Sequence, residues 1–429
     1  MGNLKDHRHP VQAINPTGQH SPTLASLSQK GLTINEWARD LILGDNNRPL
    51  VLHTRVVSEH GGGPEKTLLN SPRFLKELGY DSICVYFRDP ADDGFQSIVA
   101  RAEESKTPLI AVDDHGATDW RLLQRISKLL KTVANRDLIW HGHDYKSNLV
   151  GILLRRRHPM HVVSTVHGWV LKTWKTPLYY AIDRWCLKRC EQVVCVSTDL
   201  HADCLKLGVP EAKLHLIDNA IDLEQYDRKL EITAAKRKLN LPDGRWHLGA
   251  VGRLAPEKGF DYLIRAVGAL TDAGMDVGLS ILGDGPQKQE LEALVKDLHL
   301  SDRVHLVGHV TNPKPYYESM DVYVLSSLRE GLPNVLLEAM AYGIPLVATA
   351  VAGIPRLIDG ESNGVLIPPS DAKSIADAIT QLIHNPCDRE KLGAGGRTTV
   401  EQRFCFQTRM TKIVDAYEQL PGSKRSCQP

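Results

Sequence analysis

Short apolar, β-branched segments alternate with amphipathic segments along the chain from about Arg48. In the first half, helix-forming stretches such as KTLLNSPRFLKELG separate the apolar segments PLVLHTRVV, SICVYF, LIAVDD, DLIWHGH, HVVSTVHG and QVVCVS. Strands that are apolar on both faces and separated by helices are typical of a parallel sheet with helices on both sides. The pattern predicts a doubly wound α/β domain.

A second series of the same kind follows a polar interruption. The stretch from Asn219 to Gly244 is rich in charged residues and is interpreted as the connection between two domains. After it come the apolar segments WHLGAVGRL, VGLSILGDG, RVHLVGHV, DVYVLSS, PLVATA and GVLIPP, again with helical stretches between them. Helical patterns around Ala372–Ile383 and Val400–Leu420 close the chain, and the last is long enough to return to the first domain.

These patterns divide the 429 residues into four segments, which agrees with the size of about 100–200 residues usual for one domain. We predict a mobile or loosely packed extension over 1–45, a first Rossmann-like domain over 46–222, a second over 223–400, and a C-terminal helix and tail over 401–429.

The composition indicates which kind of partner and which cellular compartment to expect. The 52 Lys and Arg are balanced by 51 Asp and Glu, so no overall field favours nucleic acid, and no nucleic-acid partner is expected. The eight cysteines form no Cys-x-x-Cys pair and no zinc-type spacing, which favours reduced thiols. No apolar run has the length of a signal peptide or of a membrane span, and we expect a cytoplasmic protein.

Two loops of the first domain carry candidate chemistry, because ligands of parallel sheets bind at the carboxyl ends of strands. In SEHGGGPEKT, Gly62 and Gly63 precede a helix N-terminus, which suits a phosphate or a sugar, although a plain tight turn fits the glycines equally well. In STVHG, His167 ends a strand, and a structural role is about as well supported there as a catalytic one.

The first two loops of the second domain suit a nucleotide diphosphate. Arg253 and Lys258 lie on the loop of VGRLAPEKGF, and their paired charges match a diphosphate, with solvated loop charges as the alternative. Gly283, in ILGDGPQ, could bring the backbone close to a nucleobase, but a simple turn is the more economical interpretation.

The segment EGLPNVLLE combines two carboxylates with a helix N-terminus. Glu330 ends the loop after DVYVLSS, Gly331 and Leu332 offer backbone N–H groups, and Glu338 lies about two turns inside the helix. Amides suit phosphate oxygens, and carboxylates suit sugar hydroxyls. Glu338 has apolar neighbours, so if its carboxylate is buried rather than on the surface it needs a polar partner.

In this order the motifs resemble the retaining glycosyltransferases of family 4, which have the GT-B fold of two Rossmann-like domains facing a cleft. The match runs from about Pro49 to Ile379 through GGGPEK, STVHG, CVSTDL, LIDNAID, VGRLAPEKGFDYLI, ILGDGP, VHLVGHV, the two-glutamate segment and NGVLIPPSD. The resemblance implies a hexosyl transfer from a nucleotide-diphosphate sugar to a glycan or lipid-linked acceptor, such as a precursor of a bacterial surface polysaccharide.

The resemblance also implies roles for the candidate residues. It assigns Arg253 and Lys258 to the donor diphosphate, Glu330 to the transferred sugar and Glu338 to the nucleotide ribose. It further places the Gly331 and Leu332 amides on the donor, with His167, Gly62 and Gly63 opposite them and Gly283 among the donor-binding residues. No cofactor and no metal are expected beyond the nucleotide sugar as co-substrate, and no Asp-x-Asp signature occurs at a matching strand end.

Three other functions agree less well with the sequence. A GT-B-like nucleotide-sugar epimerase shares the architecture, but the combination of VGRLAPEKG with REGLPNVLLEAM argues against it. A non-enzymatic nucleotide-sugar-binding protein is disfavoured because the charged residues expected for catalysis are all present. A dinucleotide oxidoreductase needs Gly-x-Gly-x-x-Gly, which GGGPEK does not provide.

The stretch 151–190 departs from the balanced charge of the rest. It contains eight Lys or Arg against one acidic residue, Asp183, and interleaves them with Trp and Tyr. That mixture suits an anionic membrane surface, and it also suits an ordinary helix with aromatic residues in the core. A peripheral position at the inner face of the membrane is therefore a hypothesis.

Overall fold

The computed structural model describes residues 31–44, 47–58, 63–116, 119–168 and 176–422. Within these ranges the chain forms two sheets, one of eight strands and one of six, each with helices between its strands. The predicted α/β class with two parallel-sheet domains is confirmed.

The first sheet is parallel except at one edge. Its spatial order is β1-β4-β3-β2-β5-β6-β7-β8, and only the pairing of β1 with β4 is antiparallel among the recorded pairs. Strands covered on both faces need apolar residues at successive positions, and β3 is buried at seven consecutive positions. In chain order the strands are β1 Leu32–Ile34, β2 Leu50–Val57, β3 Asp81–Arg88, β4 Leu109–Asp113, β5 Leu138–Gly142, β6 His161–Val166, β7 Gln192–Cys195 and β8 Leu214–Leu216.

Helix α4 illustrates how an amphipathic helix of this half buries one apolar stripe. In α4, Leu122, Ile126 and Leu129 are buried at helical spacing, and the Asp119 side chain caps the first turn by accepting from the Arg121 amide at 3.0 Å. In chain order the helices are α1 Glu36–Leu43, α2 Gly63–Glu77, α3 Gln96–Glu104, α4 Trp120–Thr132, α5 Tyr145–Leu154, α6 Thr176–Leu187 and α7 Thr198–Lys206.

The ordered fold begins before Arg48, which corrects the predicted extension over 1–45. Residues 31–44 form β1 and α1, and β1 extends the sheet along β4. Asn35 joins the two elements: its side-chain oxygen accepts from the Ala38 amide at 3.1 Å and from the Leu109 amide at 3.0 Å. In the sequence, these elements are indicated by an N-cap asparagine before a short amphipathic helix. The hydrophobic periodicity around it is too short for the helix to be predicted.

The second sheet is parallel throughout, in the order β11-β10-β9-β12-β13-β14. From β9 the chain first moves outward to β10 and β11 on one side, and then returns to β12 on the other side of β9. The strands are β9 Trp246–Val251, β10 Val277–Leu282, β11 Val304–Gly308, β12 Val322–Leu325, β13 Leu346–Thr349 and β14 Val365–Ile367.

The remaining helices cover this sheet and close the chain. None of the helices in the described ranges is both long enough and apolar enough to cross a membrane. They are α8 Ile232–Lys238, α9 Phe260–Asp272, α10 Lys288–Asp297, α11 Lys314–Ser319, α12 Asn334–Ala341, α13 Ile354–Leu357, α14 Ala372–His384, α15 Pro386–Arg403 and α16 Phe406–Glu418.

The segment from Asn219 to Gly244, predicted as a connection, is an ordered part of the second unit. It contains α8, in which the Lys236 ammonium donates to the Asp321 carboxylate at 2.6 Å and to the Arg245 carbonyl at 2.9 Å. The ion pair is almost completely buried, so the lysine needs both acceptors. High charge in this stretch reflects a buried pair as well as solvent exposure, which the sequence pattern does not distinguish.

The chain divides into two compact units whose borders differ from the predicted domain borders. Among the described residues, one unit comprises those up to Thr165 and 176–191, and the other comprises Val166–Gly168 and 192–422. Helix α16 belongs to the second unit, where Arg409 donates to the carbonyl of Ile217 at 3.1 Å and to that of Asp218. The predicted borders at 222 and 400 do not coincide with this division.

A buried histidine lies in the core of the second unit. His247, on β9, is 4% exposed, and its ring nitrogens contact the Ser319 carbonyl oxygen at 3.1 Å and the Ser280 hydroxyl at 2.9 Å. Burial lowers the pKa of His247 from 6.5 to about 4, because the charged ring loses its hydration. The folded protein therefore holds this imidazole neutral at pH values where the unfolded chain protonates it.

We predict that this histidine makes the second unit less stable in acid. Because the unfolded chain binds the extra proton, the free energy of unfolding should fall by about 2 kcal/mol between pH 7 and pH 5 through His247 alone. Urea unfolding of wild type and His247→Gln at the two pH values measures this, and the variant should lose less stability than wild type over the same interval.

His305→Gln is the matched control, because this histidine is exposed on the edge strand β11. Its pH dependence should follow that of wild type. Equal losses of stability in His247→Gln and in wild type would contradict the prediction.

Candidate functional site

The order of the second sheet identifies its binding edge. The connections from β9 and from β12 leave in opposite directions, and the two strands are neighbours, with Leu248 paired to Val322. In open α/β sheets a ligand crevice forms outside the carboxyl ends of the strands at this kind of switch point. The loop after β9 carries Arg253 and Lys258, and the loop after β12 carries Glu330.

The two loops are held together through their backbones. The carbonyl of Glu257 accepts from the Leu328 amide at 2.8 Å, and the Ser326 hydroxyl donates to the Lys258 carbonyl at 3.0 Å. Gly259 makes the approach feasible, because its φ is +58° and a β-carbon there would lie 2.4 Å from the Ser326 carbonyl oxygen. The sequence motif VGRLAPEKG thus contains the glycine that lets Lys258 reach the second loop.

Lys258 and Glu330, on the two loops, form a close ion pair. The ammonium donates to one carboxylate oxygen of Glu330 at 2.5 Å, and the Ser327 hydroxyl donates to the same oxygen at 2.7 Å. The side chains are 18% and 9% exposed, so the pair is largely shielded from water. The lysine is held in place by its partner, with two of its three donor hydrogens left for other acceptors.

Arg253 is more exposed and is paired within its own loop. Its guanidinium donates to the Glu257 carboxylate, and 63% of its side chain is exposed. The pKa of Glu257 lies below its ordinary value, chiefly because its carboxylate accepts a hydrogen bond from the Glu257 backbone amide. The hydrogen bond and the charge of Arg253 lower it further, and together these effects outweigh partial burial. The charge of Arg253 is available at the surface beside Lys258.

Two backbone amides before helix α12, of exposed Gly331 and buried Leu332, lack an acceptor within the described residues. A β-carbon built on Gly331 meets nothing within 4 Å. Pro333 is the N-cap, not the first helical residue, and contributes no donor. In the first helical turn, the Asn334 side-chain oxygen is buried and has no partner within the described residues. The helix start thus presents two amides and one unsatisfied acceptor.

Glu338 is buried among tyrosines. It is 4% exposed, and its two oxygens accept from the hydroxyls of Tyr226 at 3.1 Å and of Tyr317 at 2.8 Å. Burial, and next the neighbouring carboxylate, raises the pKa of both hydroxyls above their ordinary range, so they remain protonated donors. These are the polar partners that a carboxylate on this apolar helix was expected to require. A role of Glu338 at the nucleotide ribose stays a prediction. It requires carboxylate lone pairs that the two tyrosine hydroxyls do not occupy.

Gly283 has a clear structural role. Its φ is +138°, and a β-carbon there would lie 1.9 Å from the carbonyl oxygen of Gly252, at the end of the neighbouring strand. Its amide donates to the Gly308 carbonyl at 2.8 Å. The turn interpretation explains this glycine, whereas its predicted contact with the donor stays a prediction.

The predicted residues of the first domain are only partly described. His167 is half-buried directly after β6, and Gly168, with a φ of +117°, needs the conformational freedom of glycine. Gly63 begins helix α2, and Gly62 lies outside the described residues. The proposed contributions of His167, Gly62 and Gly63 to the donor site stay predictions.

Three residues of this site were missed in the sequence. Ser327, Tyr226 and Tyr317 complete the hydrogen bonding of the two glutamates. Ser327 stands in the same motif as Glu330, three positions before it, and could have been noticed. The tyrosines lie 112 and 21 positions from Glu338, and nothing local in the sequence indicates that they meet it.

Comparison with known families covers both halves of the chain. Residues 61–225 match the model of Glycosyltransferase Family 4, and residues 231–399 match the model of Glycosyl transferases group 1. The second matched region includes every site residue described above on the loops after β9, β10 and β12.

Individual curated relatives match only part of this chain. The 2-deoxystreptamine glucosyltransferase of Streptomyces kanamyceticus is 28% identical over 58% of this chain and 66% of its own length. The lipopolysaccharide core biosynthesis glycosyltransferase LpsE of Rhizobium meliloti is 34% identical over 45% of this chain and 54% of its own. The chain thus spans about half to two thirds of the length of these curated relatives.

Solved structures establish the fold. That of Anabaena Alr3699/HepE in complex with UDP has a TM-score of 0.73 at 19% identity, covering 87% of this chain and 100% of that chain. Together, the two matched family models show that the chain belongs to the family 4 glycosyltransferases, and the two parallel sheets and the likeness to solved structures show the GT-B fold.

Proposed function

We propose that this protein transfers a sugar, with retention of anomeric configuration, from a nucleotide-diphosphate sugar to a glycan or lipid-linked acceptor. The observation that carries the proposal is the Lys258–Glu330 ion pair at the switch point of the second sheet, next to Arg253 and to the free amides before α12. Cations, amides and a carboxylate meet there in the arrangement that a sugar diphosphate requires.

The donor diphosphate is assigned to Arg253 and Lys258. As the bond to the sugar breaks, negative charge accumulates on the departing diphosphate, and positioned cations stabilise that charge. Lys258 is fixed by Glu330, whose carboxylate is itself held by the Ser327 hydroxyl, so little reorganisation is needed when the charge develops. Arg253 adds a planar donor group at the exposed side.

Glu330 and the helix start are assigned to the sugar side of the donor. One oxygen of Glu330 accepts from Lys258 and Ser327, which leaves the other for sugar hydroxyls. The Gly331 and Leu332 amides suit phosphate oxygens, and the Asn334 oxygen suits a hydroxyl donor. Glu338 is assigned to the nucleotide ribose, and His167, Gly62, Gly63 and Gly283 complete the proposed donor site.

We propose that the transfer step uses no metal ion. The two cations at the switch point supply the charge that a metal would supply, and the sequence has no Asp-x-Asp signature at a matching strand end. Retention by a front-face mechanism follows from the family resemblance and requires no side-chain nucleophile.

The acceptor class rests on relatives. The Rhizobium relative acts in lipopolysaccharide core biosynthesis by its name, and the Anabaena structure contains UDP. By analogy we propose a bacterial surface or extracellular polysaccharide precursor as acceptor and a nucleoside-diphosphate sugar as donor.

A lipid-linked acceptor would suit a cytoplasmic protein bound peripherally at the inner face of the membrane, and α6 offers a surface for this. Leu178 is 63% exposed and Trp185, seven positions later on the same helical face, is 41% exposed. Arg189 stacks over the Trp185 ring at 3.9 Å from its centroid, and Lys188 is exposed beside them. Apolar side chains flanked by cations are typical of a surface that binds anionic lipid headgroups.

We predict that Arg253→Ala and Lys258→Ala each lower donor turnover about 10- to 150-fold, because each removes a charge-assisted hydrogen bond of about 1.5–3 kcal/mol to the diphosphate. Nucleotide release from UDP-, GDP- and ADP-sugars measures the effect. The assay is run with EDTA and with magnesium, and equal rates are expected in both.

Lys373→Ala is the matched control, since this exposed lysine of the same unit pairs only locally, with Asp377. It should retain wild-type turnover. Wild-type rates in both Arg253→Ala and Lys258→Ala, with thermal unfolding unchanged, would refute the diphosphate assignment, and activity that requires added metal would refute metal independence.

We predict that Glu330→Gln and Glu338→Gln impair transfer in different ways. Glu330→Gln should lower turnover, because a neutral amide oxygen holds the Lys258 ammonium less strongly than a carboxylate does, while Glu338→Gln should chiefly weaken nucleotide binding through the ribose. Equilibrium binding of UDP, GDP and ADP separates the two effects.

Tyr317→Phe supplies the control for a purely structural role of Glu338, because it removes one hydroxyl partner and keeps the carboxylate. If Glu338→Gln and Tyr317→Phe lower stability alike and both bind every nucleotide as wild type does, the ribose assignment is wrong.

We predict binding to phosphatidylglycerol vesicles at low salt and release as salt rises, because each basic residue near an anionic surface contributes about 1 kcal/mol. Lys188→Glu should weaken vesicle co-sedimentation about fivefold or more, whereas Lys412→Glu, an exposed substitution on α16, should not. Equal recovery with neutral and anionic vesicles would exclude the membrane surface and leave a soluble acceptor.

A further inference from the structure

Three buried histidines meet at the switch point of the first sheet. In the sheet order, β2 lies between β3 and β5, so the connections from β2 and β5 leave in opposite directions. His53 on β2 is paired in register with His141 on β5, and His143 follows β5 directly. The three side chains are 2%, 1% and 5% exposed. None of them belongs to the donor site proposed above.

The spacing of the ring nitrogens suits a metal ion. One nitrogen from each of the three rings can be chosen such that all three lie within 4.8 Å of one another. His53 Nδ1 and His143 Nε2 are 3.2 Å apart. Two nitrogen ligands of tetrahedral zinc, each about 2.0–2.1 Å from the ion, are separated by about 3.3 Å. That pair therefore already has the separation that a tetrahedral ion imposes.

The surroundings orient the rings. The Thr165 hydroxyl lies 2.7 Å from His141 Nε2, so this ring has an outer hydrogen-bond partner that fixes its orientation. The His143 backbone is fixed on both sides, because its amide donates to the Thr54 carbonyl at 3.0 Å and to the Ser147 hydroxyl at 3.1 Å. Outer partners of this kind hold histidine ligands in place in metal sites.

Charged residues close to the cluster histidines in the chain form ion pairs. Arg55 donates to the His143 carbonyl at 3.1 Å and to Glu65 at 2.6 Å, and Asp144 follows His143 in the chain. Nearby, Lys146 pairs with Asp114 at 2.5 Å. Arg55 and Lys146 are thus each neutralised by a paired carboxylate.

We propose that His53, His141 and His143 bind one divalent transition-metal ion of the zinc type. Imidazole nitrogens are preferred ligands of zinc, copper and nickel, and three of them leave one position of a tetrahedral ion for water or a small anion. The ion links β2 to β5 at the carboxyl end of the sheet and is separate from the donor site proposed above.

The test is metal binding by the full chain after removal of any affinity tag and of bound metal. Residues 1–30 contain His7, His9 and His20, so all measurements use a background in which these three are replaced by Gln. We expect one equivalent of Zn²⁺ by calorimetry and by elemental analysis, and a visible spectrum of tetrahedral cobalt when Co²⁺ is added instead. Zinc should also raise the thermal unfolding midpoint.

His53→Gln and His143→Gln should each abolish the bound equivalent and the cobalt spectrum. His247→Gln is the matched control, since it removes a buried, hydrogen-bonded histidine from the other unit, and it should bind one equivalent as before. If the cluster is only a set of neutral, hydrogen-bonded rings, the background protein binds no stoichiometric zinc, and the proposal fails.

X-ray absorption of the zinc-loaded background protein decides the matter if the variants do not fold. Scattering from three imidazole ligands is expected. Fewer than three imidazoles, or sulfur ligation, would overturn the proposal, as would one retained equivalent in the folded double variant H53Q/H143Q.

Discussion

The proposed donor site depends on the ion pair between Lys258 and Glu330 and on the backbone contacts that bring their loops together. The loops follow neighbouring strands with diverging connections, so the fold itself opens a crevice between them. Hydrogen bonds from Leu328 and Ser326, and the positive φ of Gly259, then close the distance. Without that approach the cation and the carboxylate would be ordinary solvated loop charges, since exposed ion pairs contribute little.

Burial gives the two glutamates of the motif different properties. Glu330 shares one oxygen between a lysine and a serine at the edge of the site, whereas Glu338 is enclosed and satisfied by two tyrosine hydroxyls. A buried carboxylate without partners would be strongly destabilising, so the tyrosines are a condition for placing it on an apolar helix. The same partners fix its orientation toward any ligand that it meets.

The two sheets have the same kind of switch point with different chemistry. In the second sheet this point carries cations, amides and a carboxylate, and in the first it carries three buried imidazoles. Both arrangements arise because parallel strands end at one edge and bring distant residues together there. A site built on neighbouring strands is rigid, which favours the positioning of a diphosphate in one case and of a metal ion in the other.

The sequence by itself determined the α/β class, the two parallel-sheet domains and the family, because hydrophobic period and glycine-rich strand ends are local properties of the chain. It also identified Arg253, Lys258 and the two glutamates as candidates, since motif spacing is local too. It did not reveal the strand and helix at 31–44, the ordered segment from Asn219 to Gly244, the tyrosine partners of Glu338 or the three-histidine cluster. Only the tertiary structure decided these, because each depends on which strands become neighbours and on what is then buried between them, and strand order is a long-range property that no local pattern encodes.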